Sequence, residues 1–467
     1  MSHVRIMTGA GAALMAWQAL ATPVAAGTIF FREYQSAKDV PMHELKDDVP
    51  FSPLLHAAGT PVLDLDVAKP SHKYLGLGVS FAEASCKILM ELPSAEREKV
   101  MRMLWTKEGA NLTVGRIHVG CSDYSAHMYT YDDVPDDMEL KYFTINDDRK
   151  YVLPIIREAQ ALQPDLFCFS SVWTPPAWMK LNGALCGGWI SRRHLPVFCD
   201  YYVKFLQAYR AEGVDVKALT VQNEPYSDQD GQSADCKWGP EEEMDVVARL
   251  LPPRLKAAGL HPQVWLRDSE PREWQQTLWE LRDPEVVKNI GGIAWHSYDG
   301  NPDNMRKVRA VHPTIPMYHT EMGPHLDCER RSLLWWGKTV TGFLNAGCGS
   351  FTSWCPVLDE QGRPNCSRGF NCAGLIEVHS ETRTVKPSNQ YLFFLHIGPY
   401  VERGADILEQ PAGSTVTAFR NPDGSRVIVA VNMSESIDRK MQLQVKFKGQ
   451  YKSFQLLHGT VTTIVLK

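Results

Sequence analysis

The 467-residue chain is long enough to bury a large core, such as one big α/β domain with a smaller companion. Its 44% hydrophobic and 22% charged residues are ordinary for a folded protein. The formal net charge of -5 is small for this length and argues against the basic surface that nucleic acids or anionic membranes require.

The first 26 residues have the pattern of a signal peptide. Arg5 provides a basic start, residues 6–20 are mostly apolar, and residues 24–26 are small residues typical of a cleavage site. The alternative is an N-terminal helix packed on the protein. We interpret the segment as an export signal and expect a secreted or periplasmic protein, or a lysosomal or other extracytoplasmic one in a eukaryote. No other stretch approaches the ~20 apolar residues of a transmembrane segment.

Short apolar strands alternate with helices from about residue 71 to 400. The eight strand candidates are residues 74–81, 111–119, 165–173, 216–223, 263–268, 290–298, 315–321 and 349–354. Eight β–α pairs with nearly continuous apolar strands favour a (β/α)8 TIM barrel. A doubly wound α/β sheet would also alternate, but the glycine-rich phosphate loop is missing after the first strand.

Both ends of the chain read as β-structure. Residues 28–35 and 61–68, within an N-terminal segment of residues 27–70, are predicted strands. Residues 401–467 include two strands around the turn sequence NPDGS and the strictly alternating MQLQVKFKG. We therefore predict a β-sandwich, built from both chain ends and attached to the barrel.

Two glutamates follow barrel strands at the end where this fold places its chemistry. Glu224 comes after the fourth strand and Glu321 ends the seventh, so the two can face each other across the barrel mouth. A retaining glycosidase needs two carboxyl groups about 5 Å apart. A single strand-end glutamate is usually a surface charge, so the neighbours matter. Asn223 can contact a sugar 2-hydroxyl, Tyr298 can donate to Glu321, and Pro225 predicts an extended backbone at Glu224.

Seven runs of the sequence carry a family resemblance. They are LGLGVSFAEAS (75–85), RIHVGCSDYSAHMYTYDDVPDD (116–137), SSVWTPPAWMKLNGAL (170–185), TVQNEP (220–225), AWHSYDG (294–300), YHTEMG (318–323) and FTSWCPVLDEQGRPN (351–365). Over nearly all of residues 28–467 the sequence resembles glycoside hydrolase family thirty, which contains the glucosylceramidases. The NEP triplet is shared by many barrel glycosidases, whereas YTYDD…PDD and WTPPAWMKLNG are much more specific.

The resemblance implies a retaining β-glycosidase of the glucosylceramidase type, which acts on a carbohydrate or glycolipid, takes part in sphingolipid breakdown and needs no metal or organic cofactor. It implies Glu224 as the acid/base and Glu321 as the nucleophile. The matching substrate-binding residues are Glu83, Trp173, Asn223, Tyr298, Trp354 and Asn365, with Arg116 and His296 in support. For Asp123, a turn-capping role and a site role both stay open.

Three positions depart from the family pattern. Glu83 stands where glucosylceramidases usually have Asp, Ser297 replaces a bulky aromatic residue, and Cys355 follows Trp354 where Asn is common. We therefore expect a pocket of altered shape, so the resemblance alone does not identify glucose as the sugar bound there.

Other functions also stay open. A sister specificity such as β-xylosidase, β-fucosidase or β-1,6-glucanase is the main alternative, followed by a non-catalytic carbohydrate-binding protein. A metal-dependent hydrolase is disfavoured, because His118, His296 and His319 do not form a recognised ligand spacing.

Overall fold

The computed structural model describes residues 29–467 except residues 39, 48, 54–60, 228–230, 367–370 and 435–440. The predicted signal peptide lies outside these residues. Within them, no helix is both long and apolar enough to cross a membrane. Four strands precede the strands of the barrel: β1 (Phe31–Ala37), β2 (Val40–Leu45), β3 (Val62–Asp64) and β4 (Pro70–Lys73).

Eight parallel strands then form the predicted barrel. They are β5 (Gly76–Ser80), β6 (Val114–His118), β7 (Phe167–Ser171), β8 (Val216–Thr220), β9 (Gln263–Ser269), β10 (Gly292–His296), β11 (Met317–Glu321) and β12 (Ser350–Ser353). Strands β5 to β11 pair with one another in chain order, and β12 pairs with β5. The Gly349 N–H donates to the Met317 carbonyl at 2.8 Å, which closes the ring between β11 and β12.

The helices surround these strands. They are α1 (Glu83–Glu91), α2 (Ser94–Trp105), α3 (Asn146–Lys150), α4 (Val152–Leu162), α5 (Leu195–Ala211), α6 (Pro240–Asp245), α7 (Leu251–Ala257), α8 (Trp274–Glu280), α9 (Pro284–Asn289), α10 (Asp303–Val311), α11 (Leu333–Ala346) and α12 (Asn389–Phe394). The sequence explains several ends. Gly213, just past α5, has a φ of +83° that suits glycine, and α6 begins at a proline followed by three glutamates.

The interior of the barrel changes from apolar to polar along the strands. One end is filled by Val114, Phe169, Ala218, Trp265 and Ala294. Two residues further along four of these strands, on the same face, the side chains are polar: Arg116, Ser171, Thr220 and His296. The period of two therefore builds an apolar plug below a polar layer at the carboxyl ends of the strands.

Strand β9 breaks this period with a bulge. Its pairing with β10 shifts between Ala294 and Trp295, and Arg267 and Asp268 have φ values of +74° and +104°. The extra residue turns Asp268 into the polar layer, whereas Arg267 pairs with Glu243 and Glu280 outside it. The bulge thus places a carboxylate in the barrel centre.

The remaining strands complete the molecule. They are β13 (Val357–Leu358), β14 (Ile376–Val378), β15 (Val385–Pro387), β16 (Asp406–Leu408), β17 (Val416–Arg420), β18 (Arg426–Asn432), β19 (Met441–Phe447), β20 (Gln450–Leu456) and β21 (Thr460–Leu466). One sheet has the order β2-β1-β21-β18-β17-β16-β4, and the second has the order β20-β19-β3. Apolar residues of both sheets, such as Ile428, Val445 and Ile464, share one core. The predicted sandwich from both chain ends is confirmed.

Candidate active site

Glu224 lies in a tight turn after β8. Its N–H donates to the Asp268 carbonyl at 3.0 Å, and its own carbonyl accepts from the Ser227 N–H at 2.8 Å. Its φ is +45°, in the left-handed region, so the predicted extended backbone is wrong. Pro225 disfavours the right-handed helical region at the preceding residue, and the turn then selects the left-handed one. Such positions are concentrated at functional sites.

Glu224 and Glu321 face each other across the barrel mouth. Carboxylate oxygens of the two residues and a ring nitrogen of His296 all lie within 4.8 Å of one another. The Glu321 side chain is 7% exposed and that of Glu224 is 18% exposed. This separation is the one that retaining glycosidases use, about 5 Å.

Both oxygens of Glu321 are held. Tyr298 donates to Oε1 at 2.8 Å, as the sequence predicted, and Arg116 forms an ion pair with Oε2. The Gly323 N–H donates to the Tyr298 hydroxyl at 2.9 Å and so fixes this ring. Burial raises the pKa of Glu321, while His296, Arg116 and the Tyr298 hydrogen bond act in the opposite direction.

Asp268 joins the residues beneath the two acids. Its carboxylate accepts hydrogen bonds from Arg116 at 2.7 Å and from His296 at 3.0 Å, and three hydroxyl groups donate to it at 2.6–2.7 Å: those of Ser171, Thr220 and Thr320. Burial alone would raise the pKa of Asp268, but Arg116 and His296 hold it well below its usual range. This residue was not predicted as part of the site, although it ends the predicted strand 263–268.

His296 connects Glu224 to Asp268. Its Nδ1 lies 3.2 Å from Glu224 Oε1, and its Nε2 lies 3.0 Å from Asp268 Oδ1. Burial would lower its pKa, but Glu321, Asp268 and Glu224 raise it well above the ordinary value. Both ring nitrogens therefore face a carboxylate oxygen, and these carboxylates favour the charged form of the ring.

The same three residues have metal-like spacing. In the described part of the chain, Glu224, His296 and Glu321 are the group whose ligand atoms are close enough together to hold a metal ion. The carboxylates around His296 favour its protonated form, in which no ring nitrogen has a free lone pair for a metal, so this donor set suits proton transfer better than metal binding.

A cavity of about 500 Å³ opens above the acids. Trp173 and Trp354 stack at one end with their ring centroids 5.1 Å apart, and the Arg116 guanidinium lies 4.5 Å from the Trp173 ring centroid. Asp123 lines the same end. Its Oδ1 has no hydrogen-bond partner among the described residues, and burial, with the charges of Glu321 and Glu224, raises its pKa well above the usual range. Aromatic faces beside a buried carboxyl group suit a sugar ring.

The loop that carries Asp123 is anchored below the site. Tyr129 donates to Asp148 Oδ1 at 2.7 Å, and Tyr131 donates to Asp148 Oδ2. Burial raises the pKa of Asp148, which lies in α3, to about 6. The tyrosines of the YTYDD run therefore fix the loop rather than line the cavity.

The opposite end of the cavity is polar and charged. Its lining includes Ser269, Glu270, Arg272, Glu273, Asp299 and Arg330. Glu270 Oε2 accepts from the Asp299 N–H at 2.8 Å, and burial raises the Glu270 pKa to about 8. A group bound here would meet hydrogen-bonding side chains.

The family comparison accounts for both domains. The model of the glycosyl hydrolase family 30 TIM-barrel domain matches residues 74–400, and that of the glycosyl hydrolase family 30 β-sandwich domain matches residues 407–464. The chain belongs to glycosyl hydrolase family 30. It is accordingly a glycoside hydrolase, as the sequence predicted.

Relatives within glycosyl hydrolase family 30 carry two kinds of name. A putative glucosylceramidase 1 of Caenorhabditis elegans is 26% identical over 91% of this chain and 86% of its own. An endo-1,6-β-D-glucanase of Neurospora crassa is 28% identical over 84% of this chain and 85% of its own. The solved structure of an endo-β1,6-glucanase matches with a TM-score of 0.83 at 24% identity, covering 93% of this chain and 99% of its own, which shows the shared fold.

Most of the predicted family 30 site residues lie together. Six of them line the cavity (Trp173, Asn223, Glu224, Tyr298, Glu321 and Trp354), and Arg116 and His296 contact the acids from below. Glu83 and Asn365 are not among the described residues that line the cavity. Glu83 begins α1 and accepts from the Ala126 N–H at 2.7 Å, and the Asn365 carbonyl accepts from Arg363.

The two other departures from the family pattern also lie behind the cavity. Ser297 Oγ is 2.9 Å from His319 Nε2, and Cys355 is buried next to Trp354. Asp123, by contrast, lines the cavity directly.

Proposed function

We propose that this chain hydrolyses β-glycosides with retention of the anomeric configuration, using Glu321 as nucleophile and Glu224 as acid/base. The observation that carries the proposal is the approach of the two carboxylates within 4.8 Å at the ends of β8 and β11. The two acids differ in their surroundings, which supports different roles. Glu321 is fixed through both oxygens, whereas Glu224 is held by His296 and is more exposed.

In the first step, a Glu321 oxygen attacks the anomeric carbon while the bond to the leaving oxygen breaks. Glu224 gives its proton to that oxygen, so the leaving group departs neutral. Arg116 and Tyr298 aim the nucleophile at the anomeric carbon from either side of its carboxylate. The product of this step is a glycosyl ester of Glu321.

In the second step, water takes the place of the leaving group. Glu224 removes a proton from the water, whose oxygen attacks the anomeric carbon and releases Glu321. Asn223 supports both steps. Its Oδ1 accepts from Arg116 at 2.8 Å, which leaves its amide N–H groups to bind the sugar 2-hydroxyl.

The end of the cavity with Trp173, Trp354 and Asp123 suits the glycone, a β-glucoside or a related β-glycoside. The opposite end, with Glu270, Arg272 and other charged groups, favours a second sugar over a lipid as leaving group. Among the activities named for the relatives, a β-1,6-glucanase therefore fits better than a glucosylceramidase. The ratio of kcat/KM for a β-1,6-linked glucose disaccharide to that for micellar glucosylceramide tests this choice, and a preference for the ceramide would contradict it.

The catalytic assignment is tested by Glu321→Gly with added azide. Azide fits the space left by the carboxylate and attacks from the nucleophile's side, so we expect restored turnover of an aryl β-glucoside with an α-glucosyl azide as product. The matched variant is Glu224→Ala, for which azide enters from the leaving-group side and gives the β-azide. Wild-type activity of the Glu321 variant without azide, or exchanged azide anomers, would overturn the assignment.

A further inference from the structure

A thin layer of backbone separates the catalytic cavity from a second one. His325 and Cys372 form an antiparallel bridge, and the Ala373 N–H donates to the Pro324 carbonyl at 2.8 Å. Side chains alternate between the two faces of such a pair. His325 and Cys372 line the catalytic cavity, whereas their neighbours Leu326 and Ala373 line a cavity on the other face.

The second cavity, which we call the rear groove, has a volume of about 700 Å³. The two-stranded layer forms one side, and β14, β15 and the first turn of α12 form another. Its polar lining includes Asp359, Glu377, Lys386, Ser388, Asn389 and Gln390. Carboxylates and amides of this kind bind pairs of hydroxyl groups, since each side chain offers two polar atoms in one plane.

Gln390 is the unusual member of this lining. It is 1% exposed, and within the described ranges neither its Oε1 nor its Nε2 has a hydrogen-bond partner. Buried amide groups are nearly always hydrogen-bonded, because an unpaired one is costly. Gln390 is one of the residues that line the rear groove, and its unpaired amide carries both a donor and an acceptor, a combination that matches a ligand with neighbouring hydroxyl groups.

We propose that the rear groove is a second carbohydrate-binding site, which takes a short β-glucan oligosaccharide through hydrogen bonds to Gln390 and Glu377. The identity of the sugar rests on the proposed function, whereas the groove itself does not. Because only the two-stranded layer separates the two cavities, a long substrate held in the rear groove stays beside the catalytic mouth.

The test first fills the glycone end of the catalytic cavity. A 2-deoxy-2-fluoroglucosyl fluoride should esterify Glu321, with a mass increase on the peptide containing this residue. The labelled protein is then titrated calorimetrically with a β-1,6-linked glucotetraose. We expect the labelled protein still to bind the tetraose. The affinity should weaken about tenfold or more in Glu377→Ala, which removes a charged hydrogen bond to the sugar, and in Gln390→Ala, which removes the pair of amide hydrogen bonds.

Two controls give the result its meaning. Glu381→Ala removes an exposed carboxylate from the turn after β14, outside the rear groove, and should bind as the parent does. Unfolding curves check the buried Gln390 variant, and the half-buried Glu377 provides a second variant if that one is unstable. Unchanged binding in both groove variants overturns the proposal, as does loss of binding only in Arg272→Ala, which would assign the sugar to the catalytic cavity.

The two proposals fail differently. A missing mass increase on Glu321 counts against the nucleophile. The titration of unlabelled wild-type and Glu377→Ala protein then still decides on the rear groove, since tetraose affinity there does not depend on the ester.

Discussion

Asp268 is the residue on which the geometry of both proposed catalytic acids depends. It is fully buried, and it holds Arg116, which contacts Glu321, and His296, which contacts Glu224. Its negative charge also balances Arg116 within the buried polar layer and favours the charged form of His296. We infer that Asp268 is a positioning residue, since its carboxylate reaches the two acids only through Arg116 and His296, and its carbonyl contacts only the backbone N–H of Glu224.

Asp268→Asn should therefore lower kcat strongly while keeping the size of the side chain. Weakening its two charge-assisted hydrogen bonds removes about 3 kcal/mol, which corresponds to roughly a hundredfold in kcat for an aryl β-glucoside. KM should change far less, because Asp268 does not line the cavity. The comparison variant is Ser171→Ala, which removes one neutral hydroxyl and should cost much less. A kcat for Asp268→Asn within about threefold of wild type would contradict the role.

At this scale the sequence predicted the residues whose roles depend on strand order. Glu224 and Glu321 follow strands of one barrel, so their meeting follows from the topology. The role of Asp268 depends on the bulge in β9, which is defined by the pairing of β9 with β10. The left-handed backbone of Glu224 is accompanied by a hydrogen bond to the Asp268 carbonyl. Both features involve residues that are far apart in the sequence. Glu83 is the first residue of α1, and its side chain accepts a hydrogen bond from the Ala126 N–H. A sequence motif identifies the residue but does not tell which way its side chain is directed.

At the scale of elements, the barrel strands were predictable because both of their faces are buried. Every residue of β5, β6 and β10 is buried, so these strands read as continuous apolar runs with a few polar residues at the carboxyl ends. The structure trims the predicted strands at their ends, since pairing stops where the chain turns into a loop. The predicted strand at 61–68, for example, is regular only as β3.

The strands that the sequence did not indicate are short or polar. β4 has the sequence PSHK and β2 has the sequence VPMHEL, both largely exposed. β4 is held by pairing with β16, more than 300 residues later, and β2 by pairing with β1. Such strands exist because a partner offers its edge, so their own composition contains little signal.

At the scale of the whole molecule, the sandwich and the barrel share a buried junction. Asn345 of α11 donates to the Val416 carbonyl of β17 at 3.0 Å. The His396 ring, just after α12, lies 2.9 Å from Ser36 Oγ in β1 and 2.9 Å from Thr463 Oγ1 in β21. One imidazole thus ties a barrel helix to strands from both chain ends. The Thr463 hydroxyl also donates to the His396 carbonyl at 2.9 Å, which adds a second contact at the same point.

This junction should make the protein sensitive to acid. Burial lowers the pKa of His396 to about 3, against an ordinary value of about 6.5 in the unfolded chain. Between these pH values the unfolded chain binds one more proton than the folded one at this site. The free energy of unfolding therefore falls as the pH falls, by about 1.4 kcal/mol for each pH unit once below 6.5. His72, whose pKa burial lowers to about 4, contributes in the same direction.

His396→Gln removes this titration and keeps an amide that can bond both hydroxyls. We expect its unfolding free energy, measured with urea at pH 7, 6, 5 and 4, to fall less steeply with acid than that of the wild type. The difference in slope should correspond to one proton, about 1.4 kcal/mol per pH unit. His43→Gln, on the exposed strand β2, should keep the wild-type slope. Equal slopes in His396→Gln and wild type would assign the acid sensitivity to the buried histidines of the barrel instead.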